Sequence, residues 1–321
     1  MYFHMDIIYE LTRIVVFFAV IMGLVAYMTL MERRFLGFFQ VRMGPNRVGP
    51  LGLLQPIADG IKLFFKEDMT VSHAHRFYFT LAPIISLVSV LVCFAVVPFS
   101  GRFYVADISL AVLYVMAFSS LGVYGVLLGG WSSNNKYSLL GGLRGAAQMI
   151  SYEIPLALSL VGIITLAGSL SLQDIVKAQE GMWFIVKQPL GFLLFLIAVS
   201  AETNRTPFDL IECENELVAG YQTEYSSMKF GLFYMAEYAH LLLASCLVTL
   251  LFLGGWNGPV LPALVWFGIK LFLVFFVFIW VRATFPRVRY DQLMMFSWKV
   301  LTPLAFLNLL VTAVFVVFPL Y

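Results

Sequence analysis

Charge is what this sequence has least of. Only 12% of its 321 residues are Asp, Glu, Lys or Arg, while 61% fall in the hydrophobic class. Water-soluble domains carry roughly 25% charge. This chain cannot coat a particle of its size with polar groups, which excludes cytosolic, secreted and nucleic-acid-binding classes. Cysteine is scarce as well: Cys93, Cys213 and Cys246 are too few and too scattered for a disulfide framework or a metal ligand set. CxxC, HExxH, Walker A and GxGxxG motifs are all missing. No Fe–S, dinucleotide or c-type haem chemistry is therefore expected within the chain, and no metal. The N-terminus carries His4, Asp6 and Glu10 instead of the basic start of a signal peptide, so the first apolar stretch reads as a retained anchor.

What is present is hydrocarbon. Mean hydropathy is +0.90, and a run of about 20 apolar residues spans a bilayer as a helix. Eight such runs are expected, near Ile7–Met31, Phe77–Val97, Ile108–Gly130, Ala146–Ala167, Phe184–Ala201, Phe230–Leu253, Leu261–Val281 and Trp298–Phe318. Helices satisfy their own backbone groups in lipid, and the alternating segments of a β-barrel are missing. The fold class is all-α and polytopic, in one domain without internal repeats. Loop one adds an amphipathic segment at about 50–68, with Leu53, Leu54, Ile57, Ile61, Phe64 and Phe65 opposite Asp59, Lys62 and Lys66. It lies in the interface plane, either as a surface anchor or as the lining of an entrance for an amphiphilic ligand.

The charges are sorted by side. Loops one, three, five and seven hold 15 of the 20 Lys and Arg, and the opposite side holds four, with Lys270 inside span seven. The odd loops thus face the cytoplasm and both termini face away. Loop five, at about 202–229, reverses the sign. Its six acids, Glu202, Asp209, Glu212, Glu214, Glu216 and Glu224, meet two bases, Arg205 and Lys229. Crowded carboxylates cannot all ionise cheaply, although a solvated acidic loop has the same composition. Loop seven, at about 282–299, carries Arg282, Arg287, Arg289 and Lys299 around Asp291, able to pair with loop five or with a partner.

Ionisable groups within a span cost about 2.5–3.5 kcal/mol each on insertion scales. Glu153 in span four precedes Pro155, which removes the helical partner of the Ser151 carbonyl. A hydrated proton relay or a Glu bound to neighbouring helices would both suit that place. Glu237 and His240 share a face of span six, as a proton-passing pair or a structural one. Lys270 is too deep for easy snorkelling. These features fit a proton-coupled transporter or a subunit of a proton-pumping redox complex.

Four segments decide between them: ERRFLGFFQVRMGPNRVGPLGLLQPIADGIKLFFKED from Glu32, GWSSNNKYSLLGGLRGAAQMISYE from Gly130, AETNRTPFDLIECENELVAGYQTEYSSMKFGLFYMAEY from Ala201, and RATFPRVRYDQLM from Arg282. From about Tyr27 to Asn308 the chain resembles the family of H-type membrane subunits of respiratory complex I, the proton-pumping NADH:quinone oxidoreductase. The mitochondrial members of that family are called NADH dehydrogenase subunit 1. The resemblance implies an integral protein of an energy-transducing membrane, such as a bacterial plasma membrane, beside other membrane-arm and quinone-module subunits and lipid. It implies a chamber for quinone, the substrate, near Glu32, Arg33, Arg42, Asp59 and Lys62. It further implies a coupling path through Glu153, Glu202, Glu212, Glu214, Glu216 and Glu237, with Arg282, Arg287, Arg289 and Asp291 pairing to the acidic loop or adjoining subunits. Flavin and Fe–S clusters would reside in partner subunits, and the isolated chain would oxidise nothing. Equivalent subunits of ferredoxin- or F420-linked dehydrogenases and membrane-bound hydrogenases share much of the pattern. A stand-alone transporter does not explain the long one-sided loops.

Overall fold

A computed structural model describes residues 2–101, 103–211 and 214–318, without the side chains of 2–7, 214 and 215. Its helices, in chain order, are α1 Tyr2–Phe39, α2 Gln55–Phe65, α3 Arg76–Phe94, α4 Ala111–Ser119, α5 Leu121–Ser132, α6 Lys136–Ala167 and α7 Leu172–Lys177. There follow α8 Phe184–Lys187, α9 Pro189–Glu202, α10 Glu214–Leu217, α11 Ser227–Phe252, α12 Ala263–Thr284, α13 Tyr290–Phe296 and α14 Thr302–Val317. Among the described residues the only β pairing is an isolated bridge between Ser100 and Phe103.

Among the described residues, seven helical stretches are long and apolar enough to cross a membrane: α1, α3, α4–α5, α6, α11, α12 and α13–α14. The all-α polytopic membrane class follows directly. The fifth expected span, Phe184–Ala201, is shorter than its apolar run, because Gln188 leaves helical backbone angles and Pro189 opens a new helix. That helix, α9, has 14 residues and reaches about 21 Å, ending inside the protein at Glu202. α11 forms the hub: 78% of its most apolar stretch is buried, against 22% for α13–α14.

Several boundaries differ from the hydropathy reading, each for a packing reason. α1 continues to Phe39, so Glu32 and Arg33 stand on its last turns instead of in loop one. α6 starts ten residues before the expected Ala146, at Lys136. Asn135 caps it by accepting from the Tyr137 amide at 2.9 Å. Its early glycines look like loop residues but allow close approach: a Cβ on Gly141 would meet Gly220 Cα at 2.8 Å. In loop one, a short turn at Pro50–Gly52 precedes α2, which starts with Pro56 in its first turn. Leu53, Leu54, Ile57, Ile61, Phe64 and Phe65 are exposed along it, the apolar face the sequence pattern predicts.

α6 runs on through Pro155 instead of breaking there, and the Ser151 carbonyl that the proline leaves without a helical donor is filled by protein. Ser297 Oγ donates to the Ser151 carbonyl at 2.8 Å, and the Tyr152 hydroxyl donates to the Leu293 carbonyl at 3.2 Å. Ser297 lies in a π-turn, Ser297–Leu301, that joins α13 to α14. The last span is thereby stapled to the proline-containing turn of α6 beside Glu153.

Candidate functional site

Five side chains converge where α1, α11, α12 and the segment after α9 meet. Arg205 Nη1 donates to Glu32 Oε1 and Oε2 at 2.7 and 2.8 Å. Arg205 Nε lies 2.8 Å from Glu237 Oε1, an ion pair too bent to count as a hydrogen bond. The guanidinium also sits 4.3 Å from the ring centre of Tyr238. Arg282 Nη1 contacts Glu32 Oε1 from the outer side. Side chains of Arg205 and Glu32 are only 6% and 4% exposed, so this is an internal ionic cluster of two acids and two bases.

Burial alone would lower the Arg205 pKa. Attraction to Glu237 and Glu32 outweighs it, holding the guanidinium well above its ordinary range. The guanidinium charge is permanent. Gln148 keeps the Arg205 segment in place. Its Nε2 on α6 donates to the carbonyls of Ala201 and Phe208, both at 2.8 Å. The Thr206–Pro207 peptide within this segment is cis.

A second group of carboxylates continues inward. Two cavities of about 30 Å³ each adjoin α11. The first is lined by Ser119, Glu202, Thr203 and His240 among apolar side chains. Glu202, His240, Glu237, Asn204, Tyr221 and Ser86 border the second. Glu202 and Ser119 face the same first cavity, and the charge of Glu153 acts on Glu202. The structure thus brings Glu32, Glu237, Glu202 and Glu153 into one succession, although they come from α1, α11, α9 and α6.

Other expected residues form pairs around this core. Arg33 donates to Asp59 at 2.7 Å, tying α1 to α2, and Gln55 steadies Asp59 at 2.9 Å. Leu63 packs against Gly231, and Ser227 Oγ donates to the Leu63 and Lys66 carbonyls, docking α2 on α11 as well. Asp209 accepts from Arg287 at 2.9 Å and the Val288 amide donates to the Pro207 carbonyl at 3.2 Å, so the loop-five and loop-seven segments do meet. Glu216 accepts from Arg144 at 2.6 Å. Arg289 pairs with its neighbour Asp291 at 3.2 Å on the exposed surface.

Some residues stand apart from the cluster. Arg42 bonds Gln40 at 2.7 Å in an exposed turn, and Lys62 projects from the exposed side of α2. Glu212 lies outside the described residues, as does the side chain of Glu214. Lys270 caps a helix instead of joining the carboxylates. Its ammonium donates to the carbonyls of Leu253, Gly255 and Asn257 at 2.7, 2.9 and 2.7 Å. Its three protons go to the carbonyl that caps α11, Leu253, and to two in the turn that follows, Gly255 and Asn257, with Trp183 and Trp266 flanking it.

Arg205, at the centre of this cluster, is a residue that sequence reasoning passes over. A signal existed, since a lone Arg before TPFD in a strongly acidic loop must find carboxylate partners. Tyr238 and Gln148 had no such signal, because both act through elements far away in sequence.

Residues 12–313 match the family model described as NADH dehydrogenase. The chain is 54% identical over 317 residues to the NADH-quinone oxidoreductase H subunit numbered 1 of Geobacter metallireducens, covering 96% of each chain. It is 53% identical over 306 residues to the NADH-quinone oxidoreductase H subunit of Dehalococcoides mccartyi, covering 95% of this chain and 86% of that one. With the corresponding H subunit of Magnetococcus marinus the figures are 52% over 304 residues, 93% and 89%.

Proposed function

Since the chain belongs to the NADH dehydrogenase family, we propose that it is the quinone-housing and coupling subunit of a proton-translocating NADH:quinone oxidoreductase. In this reading the quinone tail enters beside α1 and α2, where the exposed apolar face of α2 meets lipid and Arg33–Asp59 fixes the two helices together. Electrons come from an Fe–S cluster in a neighbouring subunit, which also belongs to a flavin-containing assembly. This chain supplies walls and carboxylates, and alone it oxidises nothing. Loops one, three, five and seven face the cytoplasm, where partner subunits dock.

The observation that carries the proposal is the Glu32–Arg205–Glu237 cluster. Glu32 stands one residue before Arg33, which holds α2, and Glu237 opens onto the cavity it shares with Glu202. A change of charge at the quinone site therefore has a short electrostatic route inward. When Glu237 carries a proton and Glu32 gains one, Arg205 is left with no carboxylate beside it and pulls Glu237 toward its anionic form. A proton on Glu237 is then displaced toward Glu202 and Glu153. No ionic contact needs to move far for this to happen.

Photolabelling tests the chamber. A quinone carrying a photoreactive group on its isoprenoid tail, irradiated with the assembled complex, should label peptides within 8–39 or 55–65 of this chain. Labelling confined to other subunits would refute the assignment.

A further inference from the structure

His240 belongs to none of the ion pairs, yet it borders both cavities. Its ring stands on α11 one turn after Glu237, with Nε2 turned toward Gly122 of α5, where an added Cβ would lie 3.3 Å away. Neither ring nitrogen is hydrogen-bonded to a protein group among the described residues. Each cavity, at about 30 Å³, exceeds the roughly 10–15 Å³ needed for a water. The titratable carboxylates that border them are Glu237 and Glu202, and only Glu202 reaches both. Polar groups lining the second cavity, including Asn204, Tyr221 and Ser86, give a water there the partners it requires.

We propose that His240 is a proton-relay residue that joins Glu237 to Glu202 through water in these two cavities. The inference rests on the carboxylate route proposed above and adds its middle step. Neutral imidazole presents one N–H and one bare nitrogen. A proton leaving the Glu237 carboxyl passes over a cavity water to the bare nitrogen. The N–H on the opposite ring nitrogen passes its proton to the Glu202 carboxylate. One O–H bond is lost at Glu237 and one gained at Glu202, and the ring ends neutral in its other tautomer. Return to the first tautomer by exchange with cavity water readies it for the next proton.

A ring packed merely to fill space would be expected to have its nitrogens capped by backbone or side-chain groups, as Lys270 has its ammonium capped. His240 instead keeps both nitrogens available beside Glu237 and Glu202, the acids among the described residues that line the two cavities. An amide of similar size can hold water but cannot exchange protons at two ends of a ring.

The test uses the assembled complex in proteoliposomes, comparing His240→Gln with Glu237→Gln. For His240→Gln the protons pumped per electron should fall by at least half, and the slowing of pumping in D₂O should grow by at least 1.5-fold. Wild-type pumping with an unchanged isotope effect would overturn the relay. If Glu237→Gln is impaired while His240→Gln is not, the carboxylate route stands and only the relay falls. If Glu237→Gln also pumps normally, the route itself is wrong. Should His240→Gln not assemble, Gly122→Ala leaves the ring in place while pressing a methyl against Nε2. It should slow pumping at least twofold, and full-rate pumping would count against the relay.

Discussion

Arg205 grips both oxygens of Glu32, at 2.7 and 2.8 Å, across 173 residues of sequence. The pair is almost wholly buried, so each charge depends on the other for its place in the protein. Removing one partner of such a pair costs about 3–5 kcal/mol, since the other is left buried and uncompensated. Arg205→Met should therefore lower the thermal stability of the purified complex sharply or block assembly. Glu32→Gln, which leaves Arg205 still facing Glu237, should cost less. Equal losses in a detergent thermal-shift series would mean Glu237 contributes nothing to holding Arg205. Arg205→Lys keeps the charge but cannot set separate nitrogens against Glu32 and Glu237, and should fall between them.

Ser297 and Pro155 make a second, separable prediction. Ser297→Ala leaves the Ser151 carbonyl without its donor and should destabilise by about 1–3 kcal/mol. Pro155→Ala restores a backbone N–H that can reach the same carbonyl. Ser297→Ala should then cost less in a Pro155→Ala background than in wild type. A double-mutant cycle reads the difference, and strict additivity would show that the proline-containing turn does not need Ser297.

Lys270 should behave as a structural cap. Lys270→Met strands three carbonyls at the end of α11 and should lower the melting temperature of the complex. Protons pumped per electron in whatever complex survives should stay at the wild-type value. A normal melting temperature with impaired pumping would place Lys270 on the proton path instead.

The Asp209–Arg287 contact joins two loops near the surface, with side chains 15% and 31% exposed. Pairs at this depth contribute little, about 0.2–1 kcal/mol where exposed. Asp209→Asn should change stability only slightly. A charge swap, Asp209→Arg with Arg287→Asp, should recover part of what either single reversal loses. A drop of several kcal/mol for Asp209→Asn would show that the pair is buried in the assembly.

The spans were legible because apolar runs of this length have few other uses. What hydropathy could not locate were their polar ends. Glu32 and Arg33 read as loop residues, yet they remain helical because Arg205, Arg282 and Asp59 neutralise them. The apolar run at 184–201 gave no hint that α9 begins only at Pro189, although Gln188–Pro189 is the kind of step where a helix starts anew. Glu153, Glu202 and Glu237 stood out as costly charges, and the structure does gather them. Arg205, the partner of Glu32 and Glu237, gave only its charge within an acidic loop as a signal, because a contact between residues so distant in sequence leaves no local pattern. Lys270 was conspicuous by depth, but the carbonyl cage that explains it belongs to another helix.

Proton pumping by the complex carrying Glu237→Gln tests the central claim most directly. Glutamine keeps the size and a hydrogen-bonding oxygen beside Arg205 but removes the titrating group between the buried Glu32 pair and the cavity shared with Glu202. In sealed proteoliposomes, the number of protons pumped per electron passed to quinone should fall to half the wild-type value or less. A full wild-type ratio would contradict the account.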